Sequence, residues 1–222
     1  MNNRLIPVSE LSAALRCPVR VFFDRSNPWI EPSEYTICKQ ISYYLGYGAG
    51  KDDIWGEICR ISPGIDPCYK YYCESCLDRC NCQDWRVPSE HDLFVTSDGF
   101  GICGTIDNIY PEAPYFSIVR SVKPPVSGIY PGDRIRILGY ALCLSELLGQ
   151  ELRGGSVDYI PGGVSRYYEI QPRDMRKFYS IRKVLINLNT GMVPKKPLRA
   201  PCGACSYRER CDPGPTRLSD LF

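Results

Sequence analysis

The pattern of apolar and polar positions predicts that the chain begins with helices. Residues 9–25 carry apolar side chains at helical spacing, with Ser9 as the expected N-cap. The pair Cys17-Pro18 interrupts this helix, because a proline disfavours helical backbone at the residue before it. Residues 34–60 continue the helical pattern and are broken only by a glycine cluster.

Strand-like runs follow in the second half of the chain. Three runs separated by turn sequences predict a three-stranded meander, and they cover Leu93–Thr96, Gly101–Ile109 and Tyr115–Val122. Two further strands, Ser156–Ile160 and Ser165–Ile170, are expected around a Pro-Gly-Gly turn.

Two long amphipathic stretches complete the predicted elements. They indicate helices over Asp133–Leu148 and Arg173–Asn189, the first ended by a glycine. The order of elements predicts an α/β fold with a mixed sheet of about five strands flanked by helices. We expect one domain over 1–222, made of an N-terminal helical part (1–60), a cysteine-rich insertion (61–88), a core (89–190) and a C-terminal segment (191–222).

Composition changes the picture mainly through cysteine, which supplies 13 of the 222 residues. The count is odd and the first ten residues hold no apolar signal segment, so we expect a cytoplasmic protein with reduced thiolates that bind metal. A net charge of +2 is too small to indicate nucleic acid by itself. No apolar run is long enough to cross a bilayer, so no membrane partner is expected.

Three cysteines near the end of the chain form the strongest ligand pattern. Cys202, Cys205 and Cys211 have the spacing C-x2-C-x5-C, and a metal would neutralise the repulsion between their thiolates. Three ligands need a fourth, and Cys17, which also adjoins a proline, is the candidate from the other end of the chain. Four thiolates bind either zinc or an iron–sulfur cluster, and the spacing does not separate these two.

A second concentration of cysteines lies in the insertion. Its members are Cys68, Cys73, Cys76, Cys80 and Cys82. We interpret it as a structural zinc site that uses Cys73, Cys76 and two of the other three. Free thiols, opportunistic disulfides and a second iron–sulfur cluster are the alternatives. The remaining cysteines lie in apolar patterns and are predicted to be small core residues, namely Cys38, Cys59, Cys103 and Cys143.

Taken together, these features resemble the CRISPR-associated RecB-like exonucleases, the family of the fourth numbered Cas protein, within the PD-(D/E)XK nuclease superfamily. The resemblance covers nearly the whole chain and rests on Leu15-Arg16-Cys17-Pro18-x-Arg20-x-Phe22-Phe23, Gly104-Thr105-Ile106-Asp107, Lys123, Tyr140 and the terminal cysteine triplet. It implies a RecB-like nuclease core and a 4Fe–4S cluster held by Cys17 and that triplet. It also implies that the protein binds single-stranded DNA or DNA ends and acts with the CRISPR integrase complex in spacer acquisition for antiviral defence.

The resemblance further implies a nuclease site, in which carboxylates on adjacent strands hold Mg²⁺ or Mn²⁺ and a lysine assists the attacking water. Asp107 matches the first metal carboxylate, Lys123 the lysine, and Tyr140 a helix tyrosine. The second acid of the family is replaced by Ser121, a glutamine is replaced by Arg136, and the upstream histidine is absent.

These departures predict a degenerate site. One carboxylate beside Arg120 and Arg136 offers few ligands to a divalent cation, whereas the two guanidinium groups are well suited to bind phosphate. We therefore expect a site that binds DNA and cuts it weakly or not at all, with Mg²⁺ or Mn²⁺ bound only if the site is active. An active exonuclease and a metal-stabilised adapter for a protein partner remain alternatives, as do Glu112 as the second acid and His91 as a displaced ligand rather than a surface residue.

Overall fold

The computed structural model describes residues 4–27, 30–198 and 200–211. Its helices are α1 (Val8–Arg16), α2 (Pro18–Asp24), α3 (Ser33–Tyr44), α4 (Lys51–Ile61), α5 (Tyr69–Cys80), α6 (Pro131–Leu148), α7 (Pro172–Asn189) and α8 (Arg208–Cys211). Its strands are β1 (Ile6–Pro7), β2 (Glu90–Ser97), β3 (Ile102–Ile109), β4 (Phe116–Arg120), β5 (Gly154–Tyr159) and β6 (Val164–Glu169). The predicted α/β class with a mixed, helix-flanked sheet is confirmed, although the sheet has six strands.

The sheet runs in the order β1-β3-β4-β5-β6, and β2 pairs with the remaining edge of β3. The predicted meander is present, because β3 lies antiparallel to both β2 and β4. The pairing of β4 with β5 is parallel, and helix α6 makes the crossover between them. Strand β1 was not predicted, since two residues are too few to show an alternating pattern.

Strands β1 and β4 share one edge of β3, and this arrangement opens a fork in the sheet. Strand β1 pairs with Ile102 and Cys103 at the start of β3, whereas β4 pairs with Asn108 and Ile109 at its end. Along this edge, the described strands leave residues 104–107 without a neighbour. The backbone there is open to side chains from the flanking helices.

Helices cover both faces of the sheet. Apolar side chains of α1, α6 and α7 pack against one face, and those of α3, α4 and α5 form a second core around Val119 and Ile160. The cysteine-rich insertion, for which no helix was predicted, contains α5. The end of the predicted C-terminal segment, after residue 211, lies outside the described residues. None of the described helices combines the length and apolarity that a bilayer span requires.

The first predicted helix is divided in two by its internal proline. Cys17 has extended backbone (φ −161°, ψ 112°) between α1 and α2, and Pro18 opens the second helix. The prediction of Ser9 as N-cap is wrong, because α1 begins at Val8 after an extended Pro7. Cys17 is the C-cap of α1, and its N–H still donates to the Ala13 carbonyl at 3.1 Å. The predicted ligand therefore lies at the junction of α1 and α2.

Candidate functional site

The carboxylate of Asp107 lies at the fork in the sheet, directly before the residues of β3 that pair with β4. Its Oδ2 atom accepts a hydrogen bond from the Val119 N–H at 2.8 Å, in the place of a strand-to-strand bond. Its Oδ1 atom accepts one from the Tyr35 hydroxyl at 3.1 Å. Asp107 is only 6% exposed, and burial raises the pKa of this carboxyl. Both oxygens of the predicted metal ligand therefore have protein donors.

A lysine and a second aspartate adjoin Asp107, and neither was predicted from the sequence. The Lys39 Nζ atom, which comes from α3, lies 2.6 Å from Asp92 Oδ1 and 3.8 Å from Asp107 Oδ1. Asp92 and Asp107 lie between the paired residues His91–Asn108 and Leu93–Ile106 of β2 and β3, although they are not themselves a ladder pair. Asp92 has φ +58°, a left-handed conformation that is uncommon outside glycine. No sequence pattern joins these residues, because helix and strand periodicity report only local neighbours.

The predicted Tyr140 lies on the other side of the fork, on α6. Its ring packs against Gly104 of β3, and burial raises the pKa of its hydroxyl. Tyr140 and Arg136 are one helical turn apart, so both reach the region of Asp107, whose charge acts on the tyrosine. The structure thus brings Asp107, Tyr140 and Arg136 into one pocket.

Arginines gather on the side of the pocket towards α1. Arg120 Nε lies 2.9 Å from Asp133 Oδ1, which forms an ion pair. Burial lowers the pKa of Arg120, and the charges of Arg136 and Arg16 lower it further. The Nε atoms of Arg120 and Arg136 are both buried. That of Arg120 is held in the ion pair with Asp133, whereas that of Arg136 has no hydrogen-bond partner in the part of the chain that the structure describes. Arg16 was not predicted at this site, although it precedes Cys17.

Of the other candidates for the nuclease site, Lys123 and Glu112 lie in exposed loops, and His91 lies beside Asp92 on β2. Lys123 is exposed in the loop after β4, and its carbonyl accepts a hydrogen bond from the Tyr130 hydroxyl at 3.0 Å. Glu112 is exposed in the turn before β4. His91 is half-buried: its Nδ1 atom lies 2.8 Å from Asn108 Oδ1, and its ring lies 4.5 Å from that of Tyr43.

The four cysteines that were expected to share a ligand line one cavity of about 480 Å³. They are Cys17, Cys202, Cys205 and Cys211. The stacked rings of Phe23 and Tyr207, 5.1 Å apart, hold the C-terminal segment against α2. The guanidinium of Arg210 lies 5.1 Å from the Phe23 ring and strengthens this contact. The two ends of the chain therefore meet at the cavity.

The donor set of this cavity is four cysteine thiolates, which suit either a zinc ion or an iron–sulfur cluster. In the described ranges, no group of three or more His, Cys, Asp or Glu side chains is already arranged around a single ion. Arg20, Lys196 and Arg208 add basic groups to the cavity wall.

The five cysteines of the insertion do not come together. Cys73, Cys76 and Cys80 are buried in the second core, whereas Cys68 and Cys82 are exposed. Burial raises the pKa of Cys73 and of Cys80 to about 12. Cys76 lies near both of these thiols and also near Cys38 of α3, whose Sγ atom lies 3.5 Å from the Tyr72 hydroxyl.

Comparison with known proteins adds the class of fold. No family model matches the chain, and curated proteins give no match. Seven chains of solved structures do match. One is a protein of Eubacterium rectale, described provisionally as an exonuclease, with a TM-score of 0.59 and 13% sequence identity over 100% of this chain and 94% of that one. At this identity the similarity concerns the fold alone, an α/β core that the two chains share.

Proposed function

We propose that this protein binds DNA ends on a nuclease-type fold, holds a 4Fe–4S cluster, and cuts DNA weakly or not at all. The observation that carries the proposal is the gathering of Arg16, Arg120 and Arg136, of which Arg136 also acts on Tyr35 and Tyr140 next to Asp107. The oxygens of Asp107 already accept hydrogen bonds. Guanidinium groups pair with phosphate oxygens through charge and geometry. The buried Nε atom of Arg136, which has no hydrogen-bond partner among the described residues, favours an anionic ligand there, whereas Arg120 already pairs with Asp133.

The cluster in this proposal is held by Cys17, Cys202, Cys205 and Cys211. It supplies four iron–thiolate bonds that fasten the junction of α1 and α2 to the C-terminal segment. Because Arg16 directly precedes Cys17, those bonds would also fix the backbone that carries one arginine of the phosphate pocket. The cluster and the phosphate pocket would therefore be linked by the peptide bond between Arg16 and Cys17.

The biological role we propose is the handling of DNA fragments for a CRISPR integrase in the cytoplasm. Support comes from the sequence motifs that resemble the RecB-like exonucleases of CRISPR systems and from the nuclease-type fold. The partner would be the integrase complex, and the ligand single-stranded DNA or a DNA end.

Fluorescence anisotropy with a labelled single-stranded oligonucleotide, repeated across a salt series, tests DNA binding. We expect a steep loss of affinity with salt, and a slope smaller by about 0.7 for each phosphate contact removed, as in Arg136→Gln. Arg60→Gln, on the exposed surface of α4, is the matched control and should bind like the wild type. No binding at low salt would contradict the proposal and favour the adapter alternative.

Cleavage is tested separately, with Mn²⁺ and labelled DNA on a denaturing gel. We expect little or no product from the wild type and some metal-dependent product from Ser121→Glu combined with Arg136→Gln. The competing function is an active exonuclease, which the description of the Eubacterium rectale structure favours. Strong native cleavage that Asp107→Ala abolishes would establish that competitor and overturn the degenerate site.

A further inference from the structure

We infer that Lys39 is a built-in cation, whose ammonium group occupies the carboxylate pair of Asp92 and Asp107 where a divalent metal ion would otherwise bind. The inference concerns the pocket of the proposed function. It rests on the geometry of three side chains, however, and does not depend on whether the protein binds DNA.

The geometry places the ammonium between the two acids. Lys39 Nζ lies 2.6 Å from an oxygen of Asp92 and 3.8 Å from an oxygen of Asp107. Ile37 and Ile41 are fully buried in the second core and anchor α3, which carries the lysine. The Lys39 side chain is only 21% exposed, so the ammonium is held in the pocket rather than free in solvent.

Charge explains why a cation is needed at this point. Like charges on neighbouring strands repel, and Asp92 of β2 lies close enough to Asp107 of β3 that both contact the same ammonium and the charge of Asp92 acts on Asp107. Each acid also accepts a hydrogen bond from a tyrosine of α3: Tyr43 donates to Asp92, and Tyr35 donates to Asp107. The hydroxyls contribute no charge, and among the ion pairs of the described residues Lys39 is the cation that both acids share.

The backbone of Asp92 is an independent sign that this arrangement is specified. Its φ of +58° is uncommon for a residue with a side chain, and such conformations persist only where the surroundings hold them. Here the surroundings are the ammonium of Lys39 and the hydroxyl of Tyr43.

A divalent ion and this ammonium would compete for the same space. Mg²⁺ requires oxygen ligands at about 2.0–2.1 Å in octahedral geometry. Asp92 Oδ1 faces the ammonium of Lys39, and Asp107 Oδ2 accepts a hydrogen bond from the Val119 N–H. Binding of the metal would therefore require Lys39 to leave.

The test is a titration of the purified protein with Mn²⁺, followed by electron paramagnetic resonance of the free ion. Lys39→Met removes the charge and keeps the methylene stem, so it is expected to bind one Mn²⁺ at least about tenfold more tightly than the wild type. Adding Asp92→Asn to that variant should abolish the gain. Lys51→Met, which breaks the exposed pair of Lys51 with Asp78, is the matched control and should gain nothing.

A thermal melt gives a second readout, because a ligand that binds the folded state raises the melting temperature. Mn²⁺ should raise the melting temperature of Lys39→Met and leave the wild type and Lys39→Arg unchanged. If Lys39→Met folds only when Mn²⁺ is present, the ion has replaced the ammonium, and the inference is supported. It is overturned if the wild type binds a Mn²⁺ that Asp107→Asn removes, if folded Lys39→Met gains no site, or if Mn²⁺ does not restore an unfolded Lys39→Met. DNA is absent throughout, so a failure here is distinct from a failure of the proposed function.

Discussion

The ring of Tyr140 lies directly against the backbone of Gly104, with its Cε1 atom 2.9 Å from the point where a Cβ atom of residue 104 would stand. This contact joins α6 to β3 inside the fork, three residues before Asp107. It explains why a glycine opens the Gly-Thr-Ile-Asp segment: a side chain there would push Tyr140 out of the pocket.

A Gly104→Ala variant should therefore be less stable, by about 1–3 kcal/mol, because a methyl group is forced into a filled space. Urea denaturation measures the change in the free energy of unfolding. Gly56→Ala is the matched control, since Gly56 lies inside α4 with open space around it and alanine there should stabilise by about 0.5–1 kcal/mol. A neutral or stabilising Gly104→Ala would contradict the close contact.

Iron content tests the cysteine cavity. Cys17→Ala and Cys205→Ala should each lose the iron and the visible absorbance of protein purified without oxygen, because each removes one of four thiolates. Cys82→Ala, which changes an exposed cysteine elsewhere in the chain, should keep both. A colourless wild-type protein that contains zinc would remove the basis for the cluster.

Thiol reactivity tests how the insertion is packed. The thiolate is the reactive form, so exposed Cys68 and Cys82 should react with an alkylating reagent long before Cys73 and Cys80, whose pKa is about 12. Mass spectrometry of the labelled peptides measures the order, and denatured protein provides the fully labelled control. Equal rates at Cys68 and Cys73 in the folded protein would show that α5 does not bury its cysteines.

The pH dependence of stability should carry a contribution from Asp158, which is buried at 2% exposure. Burial raises the pKa of this carboxyl, although hydrogen bonds from Ser117 and Ser165 oppose the shift. The folded state then holds the proton more tightly than the unfolded state, so the free energy of unfolding falls as the pH rises from the ordinary carboxyl pKa through the raised one.

Asp158→Asn cannot ionise and should lack that decline. Urea denaturation at several pH values between about 4 and 8 measures the free energy of unfolding of both proteins. The value for the variant should rise relative to that of the wild type as the pH rises. The altered hydrogen bonds add a cost that does not depend on pH and so does not change this trend. Parallel profiles would show that Asp158 contributes nothing to the slope.

Several features of this molecule could be predicted from local sequence. The long helices α6 and α7 and the meander of β2, β3 and β4 follow from periodicity and turn residues. Pro18 by itself accounts for the extended backbone of Cys17, because a proline acts on the residue before it. Helix α5 was missed, since the prediction for its segment used the spacing of the cysteines as ligands and not the single helix face that Cys73, Cys76 and Cys80 share.

The pocket was decided by tertiary structure. Arg120, Arg136 and Tyr140 could be selected from a motif, but Lys39, Asp92 and Arg16 come from three other elements, and no spacing along the chain relates them. The fork itself arises because β1 and β4 each cover only part of one edge of β3. Periodicity reports neighbours a few residues apart, whereas the balance of charge around Asp107 depends on which distant side chains the packed sheet and helices bring within a few ångströms of it.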